Sequence, residues 1–188
     1  MNILIDLLPT RVEIDGKEYE INSNFRTSLL FSILMENKDI PSNLKIRQAL
    51  KLYYPVIPKN TEKSIEKIIW FYTRGKEYKT TTSKGNNIKI LDYEEDADLI
   101  YSAFMSQYGI DLQDIEYLHW WKFKALFEGL KEDNKLSKIM EYRSIDLNSI
   151  KDKEQRKFYK EKKKIYSLEN NYSKEELKEL EEWNKKLK

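Results

Sequence analysis

His119 is the sole histidine of the chain, and it directly precedes Trp120 and Trp121. As a general base it would need a convergent nucleophile and an orienting acid. The sequence shows no such constellation, so the expected role is a core histidine that donates to a carbonyl or carboxylate. A second candidate is the run Asp92, Glu94, Glu95, Asp96 and Asp98. Converging oxygens of this kind can hold a hard cation, but the alternating ligands, central Gly and terminal Glu of a calcium loop are missing. Carboxylates at a helix start, where they meet the positive end of the macrodipole, are the favoured reading. The five glycines stand at 16, 75, 85, 109 and 129, so no GxGxxG or Walker loop can cradle a phosphate.

Lys151, Lys153, Arg156, Lys157, Lys160, Lys162, Lys163 and Lys164 form a basic stretch, with Phe158 and Tyr159 inside it. Such a stretch can grip a phosphate backbone while the rings stack on bases. Asp152, Glu154 and Glu161 interrupt it, which favours a solvated helix face laced with ion pairs. Trp120 and Trp121 lie in the most apolar segment and are expected in the core rather than on a ligand platform.

The composition sets limits on the class of protein. With 188 residues, 35% of them charged and 40% hydrophobic, the chain is expected to fold. There is no cysteine, which removes disulfides, thiolate nucleophiles and sulfur-based zinc sites. The start MNILIDLLPTRVEID has no basic n-region and meets Pro9 early, so neither a signal peptide nor a membrane span is expected, and a cytosolic protein is. No cofactor or metal is expected.

The elements that would position these residues can be traced in order. Arg11 to Ile14 and Lys17 to Ile21 alternate around Asp15-Gly16, the signature of a hairpin with a type I′ turn. Asn22 or Ser23 is the expected cap of a helix with Phe25, Leu29, Phe31, Ile33 and Leu34 on its apolar face. A second helix follows Ser42 with Leu44, Ala49, Leu50 and Tyr53 inward. After Pro55 and Pro58 a third begins at Thr61, with Ile65, Ile68, Ile69 and Tyr72 inward, and Gly75 can end it.

Residues 76–89 read either as a loop or as a second hairpin built from Tyr78 to Thr82 and Ile88 to Leu91. From Asp92 to Leu130 the pattern is a buried helical hairpin: a helix opened by the Asp92/Glu95 capping box and ended by Gly109, then an apolar helix after Asp111. Shorter elements follow over Leu136 to Tyr142 and Lys151 to Tyr166. Ser173 and Glu176 form a capping box for a last helix with the seam Leu177, Leu180, Trp183 and Leu187. A narrow seam of this kind needs a partner: the preceding helix, a second copy or another protein.

The run from EDADLIYSAF through QYGIDL to LHWWKFKALFEGL, with the Asp15-Gly16 hairpin before it and IMEYRSIDL to KDKEQRKFY after it, resembles the phage gene-product-fifteen family of tail-morphogenesis clusters. The resemblance covers most of the chain and stops short of the segment after Tyr166. It implies a tail-assembly chaperone, made between the tube protein and the tape-measure protein, that binds the tape measure while tube subunits assemble. No catalytic residues come with it.

The expected protein is therefore mainly α, a compact helical domain over 1–150 with an N-terminal hairpin (11–21), followed by a charged helical appendage over 151–188. It is expected to be no enzyme. Phe104, Leu118, His119, Trp120, Trp121 and Phe123 are expected in the core; Phe158, Ile165, Leu180, Trp183 and Leu187 are expected to contact a partner or, alternatively, to pack within the chain. The implied partners are the tape-measure protein, the tail tube protein and further copies of the chain in a homo-oligomer, in the cytoplasm of a bacterial host, with no membrane. The alternative is a nucleic-acid-binding adaptor that uses the basic 151–164 helix. A third, enzymatic reading would require a metal on the Asp92 to Asp98 cluster.

Overall fold

The computed structural model describes residues 2–76 and 88–168. The expected strand Tyr78 to Thr82 and the last helix, with Leu177, Leu180, Trp183 and Leu187, lie outside the described residues. Among those described, the order is β1 (Arg11–Ile14), β2 (Lys17–Glu20), α1 (Phe25–Glu36), α2 (Ser42–Tyr53), α3 (Thr61–Tyr72), α4 (Ala97–Tyr108), α5 (Trp120–Glu128), α6 (Lys135–Ser144) and α7 (Lys153–Ile165). The fold is mainly α with one antiparallel hairpin. Residues divide into two units, 1–82 with 110–129 and 83–109 with 130–188. Residue 150, where the composition turns charged, falls inside the second unit.

In the first unit Val12 pairs with Tyr19 and Ile14 with Lys17. Asp15 and Gly16 have φ of 52° and 75°, as a type I′ turn demands at both central positions. Val12 and Ile14 are buried while Arg11 and Glu13 face outward, the alternation of a half-buried strand.

Helix α1 is capped by Asn24, whose side chain accepts the Arg26 N–H, rather than by Asn22 or Ser23. Both expected caps are used elsewhere: Asn22 donates to the Leu52 carbonyl at 2.6 Å, and Ser23 Oγ meets the Tyr117 hydroxyl at 2.7 Å. The inner face of α1 is Phe25, Ser28, Phe31 and Ser32; Leu29, Ile33 and Leu34 are only half-buried. The serines are inward because tyrosines face them, Ser28 Oγ lying 2.8 Å from Tyr53 Oη and Ser32 Oγ accepting from Tyr72 Oη at 3.0 Å. Leu44, expected inward, is 45% exposed, because α2 buries only its C-terminal half through Ala49, Leu50 and Tyr53. On α3 the buried line is Ser64, Ile68 and Phe71, and Ile69 is exposed. The face is turned from the expected one because Phe71, not Tyr72, packs deepest.

The apolar run after Asp111 does not form one helix. Residues 112–114 form a turn, the chain runs on irregularly to Leu118, and α5 begins only at Trp120. The backbone that would have continued the helix is engaged elsewhere: Arg26 donates to the carbonyls of Leu112, Gln113 and Ile115, and Asn24 to that of Glu116. Tertiary partners for these carbonyls displace i→i+4 bonding. The helical hairpin expected over 92–130 is thereby replaced, with α4 in the second unit and α5 in the first.

In the second unit Ile88 to Leu91 has no strand assignment. The helix expected from Asp92 begins at Ala97 and ends, as expected, at Gly109 in the left-handed region. Helix α6 is capped by Asn134 and α7 by Asp152, through the N–H groups of Leu136 and Gln155. Among the described residues no helix is long and apolar enough to cross a membrane.

Candidate functional site

His119 caps α5. Its Nδ1 accepts the Trp121 N–H at 3.0 Å, so the proton resides on Nε2, which donates to the Pro9 carbonyl at 3.0 Å. Both ring nitrogens are committed to main chain. Burial pulls its pKa below the ordinary value near 6.5; the Pro9 carbonyl opposes this and Lys122 adds to it. The backbone on either side is stitched to the start of α1, with Phe25 N–H donating to Leu118 O and Trp120 N–H to Ser23 O, both at 2.8 Å.

The two tryptophans close the end of α3. Trp120 Nε1 donates to Tyr72 O at 2.9 Å and Trp121 Nε1 to Phe71 O at 2.8 Å, satisfying carbonyls that a helix C-terminus leaves without intrahelical partners. Tyr72 stacks on Trp120, Trp120 on Phe123 and Phe123 on Phe25, at centroid distances of 5.3, 5.7 and 5.0 Å. Leu118, His119, Trp120, Trp121 and Phe123 are all buried here, and Phe104 is buried in the second unit. The hydrogen bonding gives His119 and the tryptophans a scaffolding task.

The acidic cluster splits by burial. Asp92 and Asp96 are buried, while Glu94, Glu95 and Asp98 are exposed. Asp92 Oδ1 accepts the N–H groups of Glu94 and Glu95 at 2.7 and 3.0 Å, and its other oxygen pairs with Lys89. Burial works against its ionisation, yet the Lys89 ammonium and these N–H groups outweigh burial and hold its carboxyl below the usual range.

Asp96 forms a bidentate pair with Arg143 at 2.6 and 2.9 Å, the two side chains being 2% and 6% exposed. The same guanidinium donates to Ile90 O and Tyr166 O. Asp96 is thus tied to an arginine that sequence reading did not single out. Among the described residues no group of three or more His, Asp or Glu side chains is placed to hold a metal ion. A groove of about 380 Å³ beside α4 and α6 is lined by Ser102, Ser106, Gln107, Lys131 and Asn134, and Gln107 already accepts the Lys131 N–H there.

Helix α7 is different in kind, because none of its thirteen residues is buried. It is held at its ends and along one side. Tyr142 of α6 stacks on Tyr166 at 5.9 Å and meets Tyr159 at 6.1 Å and Phe158 at 6.4 Å. Lys163 Nζ donates to Ile145 O at 2.7 Å, and Leu168 just beyond the helix is fully buried. Away from Tyr142, Lys153, Lys157, Lys160 and Lys164 recur at three-and-four spacing along one exposed side. Phe158, 47% exposed with Lys162 over its ring, and Ile165, 67% exposed, line a neighbouring strip. Of the five expected partner-contact residues these two are therefore on the surface; Leu180, Trp183 and Leu187 lie outside the described residues.

The structure thus offers an exposed amphipathic helix as its candidate site, carried by a scaffold in which, among the described residues, every buried side-chain nitrogen and oxygen has a hydrogen-bond partner. No curated protein and no solved structure matches the chain. A family model described as Bacteriophage Gp15 protein does match, over residues 4–168, and so ends on the buried Leu168. The chain belongs to the Bacteriophage Gp15 protein family.

Proposed function

We propose that this phage protein is a non-catalytic tail-assembly chaperone that binds the tape-measure protein through the exposed side of α7. The observation that carries the reading is α7 itself, a defined helix that buries none of its residues and presents Phe158 and Ile165 beside a row of lysines. A tape measure is a long, largely helical and apolar chain that would aggregate through its exposed seams. A charged helix with a thin apolar strip suits reversible helix-to-helix binding, which tube subunits can displace.

The test is co-expression with the neighbouring long tape-measure protein, followed by pull-down and mass determination of the eluted complex. Soluble tape measure carrying several copies of this chain is the expected result. An insoluble tape measure, with this chain alone in solution, refutes the reading.

The uninterrupted row Lys153, Lys157, Lys160 and Lys164 favours one second reading, a nucleic-acid adaptor. It requires binding that weakens by about one log unit per contacted phosphate for each log unit of salt, which a gel-shift titration measures.

A further inference from the structure

Helix α7 sorts its side chains into stripes, and their order restricts what can lie against it. By helical spacing Lys153, Lys157 and Lys160 share one exposed side. Glu154 and Glu161, both exposed, stand two turns apart on the next side round, and Phe158 and Ile165, also two turns apart, lie beyond the acids. Other lysines of the helix have tasks inside the unit: Lys162 sits over the Phe158 ring and Lys163 donates to Ile145 O. Lys153, Lys157 and Lys160 make no ion pair or hydrogen bond among the described residues. They form a row of cations whose counter-charge has to come from outside the described fold.

The stripe order separates the two kinds of macromolecule that a lysine row could serve. A strand of nucleic acid needs phosphates on the cations and bases stacked on neighbouring rings. Here Glu154 and Glu161 stand between the lysines and Phe158, so a strand that reached the ring would carry its phosphates past two carboxylates. The ring is also engaged already, with Lys162 Nζ 5.5 Å from its centroid and edge-to-face contacts to Tyr142 and Tyr159 at 6.4 and 5.4 Å. A protein helix suits the same order. Its carboxylates, three and four apart, can meet the lysine row, a cation beside them can meet Glu154 and Glu161, and apolar side chains beyond can cover Ile165 and the open part of Phe158.

We infer that the exposed side of α7 is a docking surface for an acidic amphipathic helix of a partner protein, whose carboxylates pair with Lys153, Lys157 and Lys160 while its apolar strip covers Phe158 and Ile165. In naming what α7 reads on the tape measure, this inference rests on the function proposed above. The test below contains no tape measure, so the two can fail separately. A chain that solubilises the tape measure but fails here loses this inference and keeps that function.

The experiment is fluorescence anisotropy on the full-length chain with three labelled probes at one moderate salt concentration. The first is a stapled helical peptide with glutamates at three-and-four spacing beside a leucine strip. The second has the same composition with its glutamates distributed round the helix, and the third is single-stranded DNA. Saturable binding of the first peptide, tighter than that of either other probe, is expected. The triple substitution Lys153→Gln, Lys157→Gln and Lys160→Gln should weaken it about tenfold, since each exposed pair contributes a factor of about two. Glutamine matches lysine in helix propensity, so α7 should persist, which circular dichroism checks. Should the substitutions loosen α7, a salt titration of the unaltered chain screens the same pairs and should weaken the first peptide more than one in which its glutamates are glutamines. No binding of the first peptide, equal affinity for the two peptides, or indifference to both the substitutions and salt overturns the inference. DNA that binds more tightly than the first peptide also overturns it and assigns the lysine row to nucleic acid.

Discussion

Replacing Arg143 by Met should cost the second unit about 3–5 kcal/mol, the range for leaving one member of a buried ion pair without its partner. The substitution keeps an unbranched stem in the space between α4 and α6, so lost packing is small. What goes is the guanidinium, with its bonds to both Asp96 oxygens and to the carbonyls of Ile90 and Tyr166. Asp96, its side chain 2% exposed, keeps the Asp92 N–H as a donor. One main-chain N–H cannot replace a bidentate cation, and bonds to charged groups contribute about 1.5–3 kcal/mol each before water or protonation relieves the loss. Three of the four tryptophans, Trp70, Trp120 and Trp121, belong to the first unit, so tryptophan emission reports mainly on that unit; amide exchange at Ile100, Phe104 and Ile139 reads the second unit directly. The double variant Asp96→Leu with Arg143→Met removes both charges together and should cost less than Arg143→Met alone. A single-variant loss under about 1 kcal/mol, or a double variant that merely adds the two single losses, would refute the assignment of the pair as the unit's buried anchor.

Three further outcomes are expected. Because burial depresses His119 below its unfolded value near 6.5, the folded chain takes up its proton later than the unfolded chain as pH falls. The stability contributed by neutral His119 is complete above that value and declines below it, by up to about 1.4 kcal/mol per pH unit, until the folded group titrates. Urea midpoints at pH 7 and 5.5 should show this decline, and His119→Asn, which keeps a capping acceptor, should flatten it. Trp121→Phe should lower stability by about 0.5–1.5 kcal/mol, since the Phe71 carbonyl loses its indole donor and keeps only the Arg74 N–H; thermal unfolding measures it. Arg26→Ala should raise proteolytic nicking within residues 111–118, where three carbonyls lose their shared donor, while α4 exchange stays unchanged.

The hairpin was legible because Asp15-Gly16 states its turn chemistry locally, and Gly109 stated a helix end in the same way. The helix starting at Thr61 and the charged helix starting near Asp152 were likewise written in caps and spacing. What stayed hidden was decided at long range. The Asp92/Glu95 spacing does mark a capped turn, but Asp96 is drawn to Arg143, forty-seven positions away, and the helix proper waits until Ala97. Residues 111–118 have the apolar content of a helix, yet Arg26 and Asn24 claim their carbonyls from eighty-six or more positions away. One signal for these organisers was present. In a chain whose cations are mostly lysine, Arg26 and Arg143 stand where a planar fork must serve several acceptors at once, a task that an ammonium does poorly.

The surface offered by α7 follows from how the helix is held. A helix of this length is marginal alone, and α7 gains little from burial. Its stability comes from Asp152 at the N-cap, Glu154 in the first turn and three lysines in the last turn, each complementing the macrodipole. The Tyr142 ring then clasps it through Tyr159 and Tyr166. None of these contacts uses the side carrying Lys153, Lys157, Lys160 and Ile165. On the function proposed above, a helix secured in this way can meet its partner through charge and a thin apolar strip without disturbing the scaffold beneath.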